Sequence, residues 1–428
     1  MPTLKLDELR EVLPDFDELR PLYEHMLMRS EPDAGRKWAG SGVLGTAGSR
    51  VASTDALDEA SDMLSAQQAT KLLQLYRSVS RSLDALARGD RGAAAEAMLE
   101  AAALEERHDR HDRAEGYAAA AYRLARDSDS PIVAALALRR WARAARSRGA
   151  LVDALERYTR GYEAARALSD ARGAAEAAIG AGNVLEEQGR WTEAAEWYHT
   201  ALAQLTRGDG SPERWHALLN LHIVTRSRGA VEESLDYLEA AEREAEEIDP
   251  MASRPFLLNA RGQLAMAAGA YADAEAHFRA ALRSAEGART RITIGLNLAE
   301  CLLAQGRSLD AAESARESER EAIRAGLTPK LPEVYRLLGR IAAAEGDPDA
   351  FVFFERALEL IHERGLPSLE EAQTLQAYAA CEARRGDEGV ARQLLQRARD
   401  MFNGLGVTHM RQAWADVFDR DPSTEPAE

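Results

Sequence analysis

Cysteine is nearly absent. Cys301 and Cys381 are the only two among 428 residues, too few for a disulfide framework. Lysine is almost as scarce: Lys5, Lys37, Lys71 and Lys330 are the only lysines among 54 basic positions, so arginine carries the positive charge. Aromatic residues make up 6% of the chain against 46% hydrophobic residues overall. Alanine and leucine therefore supply the core, a composition that favours helices over strands. Positive charge is in deficit, with a net charge of −17. That field repels phosphate, so nucleic acid and anionic membranes are not expected partners. No apolar run approaches the roughly 20 residues that span a bilayer. The opening "MPTLKLDELREVLPDF" lacks the basic-then-apolar order of a signal peptide. The expectation is a cytoplasmic helical protein.

What is present is internal repetition. Gly149, Gly189, Gly229, Gly269, Gly306, Gly346 and Gly386 follow one another at intervals of 40, 40, 40, 37, 40 and 40 residues. Each closes an Ala/Leu-rich stretch of helical periodicity and precedes a second one. A small residue stands five positions after most of them, at Ala154, Ala194, Ser234, Ala274, Ala311 and Ala391. A large residue then follows, at Tyr158, Tyr198, Leu238, Phe278 and Leu395, and a small one three positions further on. The pattern describes stacked antiparallel helix pairs. Glycine turns the chain between the two helices, where a positive φ is needed. The small residue admits the neighbouring helix and the large one fills the gap. Pro131, Pro212, Pro250, Pro332 and Pro367 mark the starts of first helices, where a missing N–H costs little. No stretch alternates with period two, so no sheet is expected.

"YRLLGRIA", with Tyr335, Leu338 and Gly339 followed by Ala350 and Phe354, resembles the tetratricopeptide repeat. "GNVLEEQGRWTEAAEWYHTAL" and "GQLAMAAGAYADAEAHFRAAL" match the same pattern. The resemblance covers 131–403 as about seven repeats and reaches back to 66. It implies an all-α fold, a right-handed α-solenoid (superhelix) of antiparallel helix pairs. The period of 40 exceeds the family's usual of about 34, so each helix should run roughly four and a half turns.

Around this array the sequence divides further. Residues 1–29 form an acidic amphipathic segment and 30–54 a Gly/Ser/Ala-rich connector. Residues 55–130 read as degenerate helical repeats, with Leu72, Tyr76, Val79, Leu83 and Leu86 on one stripe. Gly89, Ala94, Met98 and Ala101 repeat the second-helix pattern, and a further helix occupies about 111–127. Residues 404–418 read as a capping helix with Thr408 as its N-cap, and 419–428 as a polar tail.

Three constellations invite chemistry. "WAGSGVLGTAGSR" (38–50) has the Gly40, Gly42 and Gly45 spacing of a dinucleotide turn. It lacks the flanking strand and helix, and Thr46 and Ala47 replace the Lys and Ser/Thr of a P-loop. It reads as connector, and no cofactor is expected. His108, Asp109, His111 and Asp112 hold metal-ligand types, but they read as a charged corner, so no metal is expected. Cys301 and Cys381 fall at equivalent core positions of two repeats.

The resemblance itself points to the concave face, which the first helix of each pair lines in this family. Carried over, its contact positions are Arg139, Arg140, Arg143 and Arg146, then Asn183 and Glu186, then Asn220 and Arg226. Asn259 and Gln263 follow, then Asn297 and Glu300, then Arg336 and Arg340. Asn amides suit a peptide backbone and Arg suits carboxylates. Ile179 stands where the family's chaperone-tail clamp has a base, so that ligand is not expected. The leading expectation is a non-enzymatic scaffold that binds a protein or peptide segment, acidic segments included, in this groove. The alternative is a signalling sensor of bacterial type, whose solenoid binds a small peptide or effector and transmits to a partner. A third reading has residues 1–29 either occupying the groove or capping the first helices.

Overall fold

The computed structural model describes residues 66–107, 110–128, 130–206, 211–363 and 369–404. The segment 1–29, the connector 30–54 with its glycine motif, His108, Asp109, Pro367 and everything after Gly404, Thr408 and the expected cap included, lie outside the described residues. All regular structure among the described residues is helical. The helices fall into two compact units that divide between Gly180 and Ala181.

The first unit holds α1 (Ala66–Ala87), α2 (Arg91–Glu106), α3 (His111–Arg126), α4 (Pro131–Ser147), α5 (Leu151–Ala167) and the start of α6 (Ala171–Glu187). The second holds the rest of α6, then α7 (Trp191–Gln204), α8 (Pro212–Ser227), α9 (Val231–Ile248), α10 (Pro250–Ala267) and α11 (Tyr271–Ser284). It continues with α12 (Ala288–Ala304), α13 (Ser308–Arg324), α14 (Leu331–Ala344), α15 (Ala350–His362), α16 (Leu369–Arg385) and α17 (Glu388–Gly404). Many are 17 residues long, as the 40-residue period predicts.

The turn glycines behave as their spacing requires. All seven have positive φ, between +69° and +88°. At Gly229 the following N–H, of Ala230, reaches back to the Thr225 carbonyl at 3.0 Å and satisfies an end of α8 that would otherwise be orphaned. Ser169 (φ 58°) makes the same turn between α5 and α6 without a glycine.

Packing within a pair is a knob in a hole. The rings of Tyr198, Phe278 and Phe354 are buried against Gly182, Gly262 and Gly339, each seven residues before its turn glycine. A Cβ on Gly182 would lie 2.5 Å from Tyr198 Cε1, so only glycine admits the ring. Where the ring is replaced by Leu395, Ala379 fills the hole instead. The small residues Ala154, Ala194, Ser234, Ala274, Ala311 and Ala391 are all fully buried.

One assignment changes. In the second unit α8 touches α10, and α10 touches α12, so first helices meet across the intervening second helix. In the first unit it is α2 that meets α4 in this way. The sequence pattern around Ala94, Met98 and Ala101 reads as a second helix, but α2 stands in the first-helix rank. The pattern marks which face is buried and says nothing of which neighbour covers it.

Candidate functional site

In the first unit the arginines of α4 face carboxylates of the same unit. Arg139 is only 9% exposed. Its guanidinium lies 3.6 Å from Asp170 and 3.4 Å from Glu176. Gly161 and Gly173 make the room: a Cβ on Gly161 would meet Arg139 Cγ at 3.3 Å. Arg140 donates to Glu106 of α2 at 2.9 Å. Burial lowers the Arg140 pKa and Glu106 opposes that shift. The exposed Arg143 approaches the same carboxylate at 3.9 Å. Arg146 is half-buried in the last turn of α4.

In the second unit the first helices are tied by polar side chains. Asn220 of α8 donates to Asn183 Oδ1 of α6 at 2.9 Å. Asn183 Oδ1 also accepts from the Tyr198 hydroxyl at 2.8 Å, and Glu186 lies within 2.8 Å of that hydroxyl. One pair further along, Asn297 of α12 donates to Asn259 Oδ1 of α10 at 2.8 Å. Arg226 reaches Gln263 at 3.4 Å, and Arg340 of α14 bonds Glu300 of α12. Burial lowers the Arg226 pKa, with Glu186 pulling it back up. Each of these residues except the fully buried Tyr198 is half-buried. Arg336 is half-buried as well, and its Nε is sealed from water without an acceptor.

In each unit the first helices are therefore less basic than their arginine content implies. Carboxylates already oppose Arg139, Arg140, Arg143 and Arg340. The amides form two side-chain pairs, each across consecutive first helices. Every bond of this kind contributes about 1 kcal/mol net to stability, so these links hold the stack weakly.

A polar node lies in the core behind this face. His222 occupies the hole position that holds Gly182 and Gly262 in neighbouring repeats, and it is fully buried. Its Nδ1 donates to the Ser234 carbonyl at 3.1 Å, and Ser234 Oγ donates to the His222 carbonyl at 3.0 Å. Burial pushes the imidazole pKa down to about 4, so it is neutral, and its Nε2 has no partner. The signal was legible: histidine stands at a Gly/Ala register, and serine replaces alanine five positions after Gly229.

The two cysteines are buried, and burial raises both thiol pKa values. Such thiols are poor nucleophiles and poor ligands. Among the described residues, which include His111 and Asp112, no three His, Cys, Asp or Glu side chains converge on a metal geometry. None of the described helices is long and apolar enough to cross a membrane.

No protein-family model matches the chain, and no curated protein matches it. Solved structures do. A Rap protein complexed with Competence and Sporulation Factor superposes with a TM-score of 0.57 at 14% identity, over 79% of this chain and 98% of that one. The Rap conjugation gene regulator of the plasmid pLS20, in complex with the Phr* peptide, gives 0.48 at 14% identity, over 96% and 90%. A tetratricopeptide repeat protein from Parabacteroides merdae gives 0.43 at 14% identity, over 76% and 99%. At these identities the likeness is one of fold.

Proposed function

We propose that this tetratricopeptide-repeat protein is an interaction scaffold, which holds an extended protein segment on the first-helix face of its second unit. The observation that carries the reading is the pair of amide links, Asn183–Asn220 and Asn259–Asn297. The Asn297–Asn259 bond uses one donor of Asn297 and one lone pair of Asn259. An amide side chain has two donors and two acceptor lone pairs. Capacity therefore remains on a half-exposed face for a peptide N–H and C=O. Valine or leucine would be the economical choice for helix contact alone, because it needs no partner.

A non-enzymatic role fits the chemistry of the described residues. Ser234 Oγ lies 2.9 Å from His222 Nδ1, the separation of a nucleophile and its base. Both are fully buried, and that nitrogen spends its proton on a backbone carbonyl. The pair is structural.

The reading is tested with an array of immobilised decapeptides, probed with the full-length chain and with an Asn259→Ala/Asn297→Ala variant. Retention of defined sequences by the wild type, lost in the variant, is the expected result. Equal retention by both would overturn the assignment of this face. Arg139 variants are unsuitable probes, because its ion pairs are buried and their loss acts on folding.

A sensor reading is the second one, and the bridging bonds favour it. Arg226–Gln263 and Arg340–Glu300 join different first helices, so a ligand that takes over these groups changes how the helices are tied. A Rap protein of this fold is itself complexed with a factor. Hydrogen exchange measured with and without a peptide retained on the array decides between the two. Slower exchange in α8, α10 and α12 beyond the contacted residues supports a sensor, and protection confined to the contacts supports a passive scaffold.

A further inference from the structure

We infer that the segment held on this face anchors an acidic side chain on Arg336 of α14. The inference rests on the scaffold reading above and adds the chemistry of the anchor.

The other arginines nominated from the sequence, in either unit, have partners. Arg139 faces Asp170 and Glu176, and Arg140 and Arg143 share Glu106. Arg340 bonds Glu300, and Arg226 reaches Gln263 while it feels the charge of Glu186. Arg336 makes no hydrogen bond or ion pair with any described residue. It is not a solvated surface arginine either. The residue is half-buried, and its Nε is withdrawn from water with no acceptor in place.

That combination is costly unless something completes it. A charged group that loses hydration without a replacement bond destabilises the fold. The guanidinium cannot escape by losing its proton. Arg336 thus lacks the counterion that its neighbours have, and a planar carboxylate meets its two Nη groups, which are not among the sealed atoms, with two parallel bonds.

Position decides which anion. Arg336 lies one helical turn before Arg340 on α14, which packs against α12. On α12, Asn297 supplies one half of the amide link and Glu300 the partner of Arg340. A segment whose backbone lies on the amides brings a side chain to α14 as its next contact. Glu300 already neutralises Arg340 and repels a second acid there. Arg336 is left as the acceptor site for an Asp or Glu of the ligand, and a Lys or Arg at that ligand position is disfavoured.

The probe is a library of synthetic decapeptides fixed by their N-termini, in one arm with free and in another with amidated C-termini. It is read with the full-length wild type, Arg336→Gln, Arg336→Lys and Asn259→Ala/Asn297→Ala. The expected result is enrichment of Asp or Glu at one internal position in both arms. Arg336→Gln should bind those peptides about tenfold or more weakly, and Arg336→Lys should recover part of the loss. The Asn and Gln counterparts of the selected peptides should bind wild type and Arg336→Gln alike. Absence of acidic enrichment, or unchanged binding by Arg336→Gln, overturns the proposal while Asn-dependent binding keeps the scaffold reading. Enrichment confined to free C-termini also overturns it, because the anchor would then be the terminal carboxylate. If no peptide is retained, or the double Asn variant retains the same set, the scaffold reading falls and takes this proposal with it.

Discussion

Asn297 Nδ2 donates to Asn259 Oδ1 at 2.8 Å, across 38 residues of sequence and between two consecutive first helices. The same relationship recurs between Asn220 and Asn183 at 2.9 Å. Two uncharged amides linked on a half-exposed face add little to stability, because each could bond water instead. Asn297→Ala should therefore lower the unfolding free energy by about 1 kcal/mol or less. A double-mutant cycle with Asn259→Ala, followed by urea denaturation, should return a coupling of the same small size. A cost of several kcal/mol would show that the pair is a structural element and not a binding one.

The hole at Gly262 makes a sharper demand. A Cβ there would sit 2.5 Å from Phe278 Cε1, inside any real contact. Gly262→Ala should destabilise the second unit by about 1–3 kcal/mol through overpacking. Phe278→Leu introduced into that variant should recover part of the loss, since Ala379 and Leu395 already pair at this register. Urea midpoints of the single and double variants test this, and a double variant weaker than Gly262→Ala would refute the volume argument.

His222 carries the pH dependence. Burial holds its pKa at about 4, with Arg226 adding to the depression while the Ser234 bond and Glu242 oppose it. In the unfolded chain an imidazole titrates near 6.5. The unfolded state thus takes up the proton first, and stability rises with pH across this window. The contribution is complete above about 6.5 and is lost as pH falls toward 4. It amounts to about 3 kcal/mol at most. Stability measured by urea at several pH values should fall through this range, and His222→Ala should flatten the slope there. A slope unchanged in the variant would mean that another group titrates.

Ser169 turns the chain with φ of 58°, where the other positive-φ junctions among the described residues use glycine. A side chain in the left-handed region costs about 1–2 kcal/mol, and glycine returns part of that as unfolded-state entropy. Ser169→Gly should stabilise the first unit by about 0.5–1 kcal/mol. The measurement is the urea midpoint, and a lower midpoint would mean that the Ser169 side chain contributes more than its strain costs.

The helical solenoid was legible because its causes are local. A turn glycine every 40 residues, a small residue five positions later and a ring after that specify helix, turn and packing pair within one repeat. Cys301 and Cys381 could be assigned to the core on register alone. The rank of α2 could not be read in this way. Its stripe of Ala94, Met98 and Ala101 shows that one face is buried, and only the fold shows that α2 also meets α4.

The first-helix face divides along the same line. The sequence nominated residue types for it through the resemblance to the tetratricopeptide repeat, which points to Asn, Gln and Arg of the first helices. Tertiary structure alone decided their charge state as a set. Arg140 meets Glu106 from 34 residues away, and Arg340 meets Glu300 from 40. No local pattern encodes pairings at such separations, because they depend on which helices the stack brings side by side. It is this pairing that gives Arg139, Arg140, Arg143 and Arg340 their carboxylates and leaves Arg336 without a counterion among the described residues.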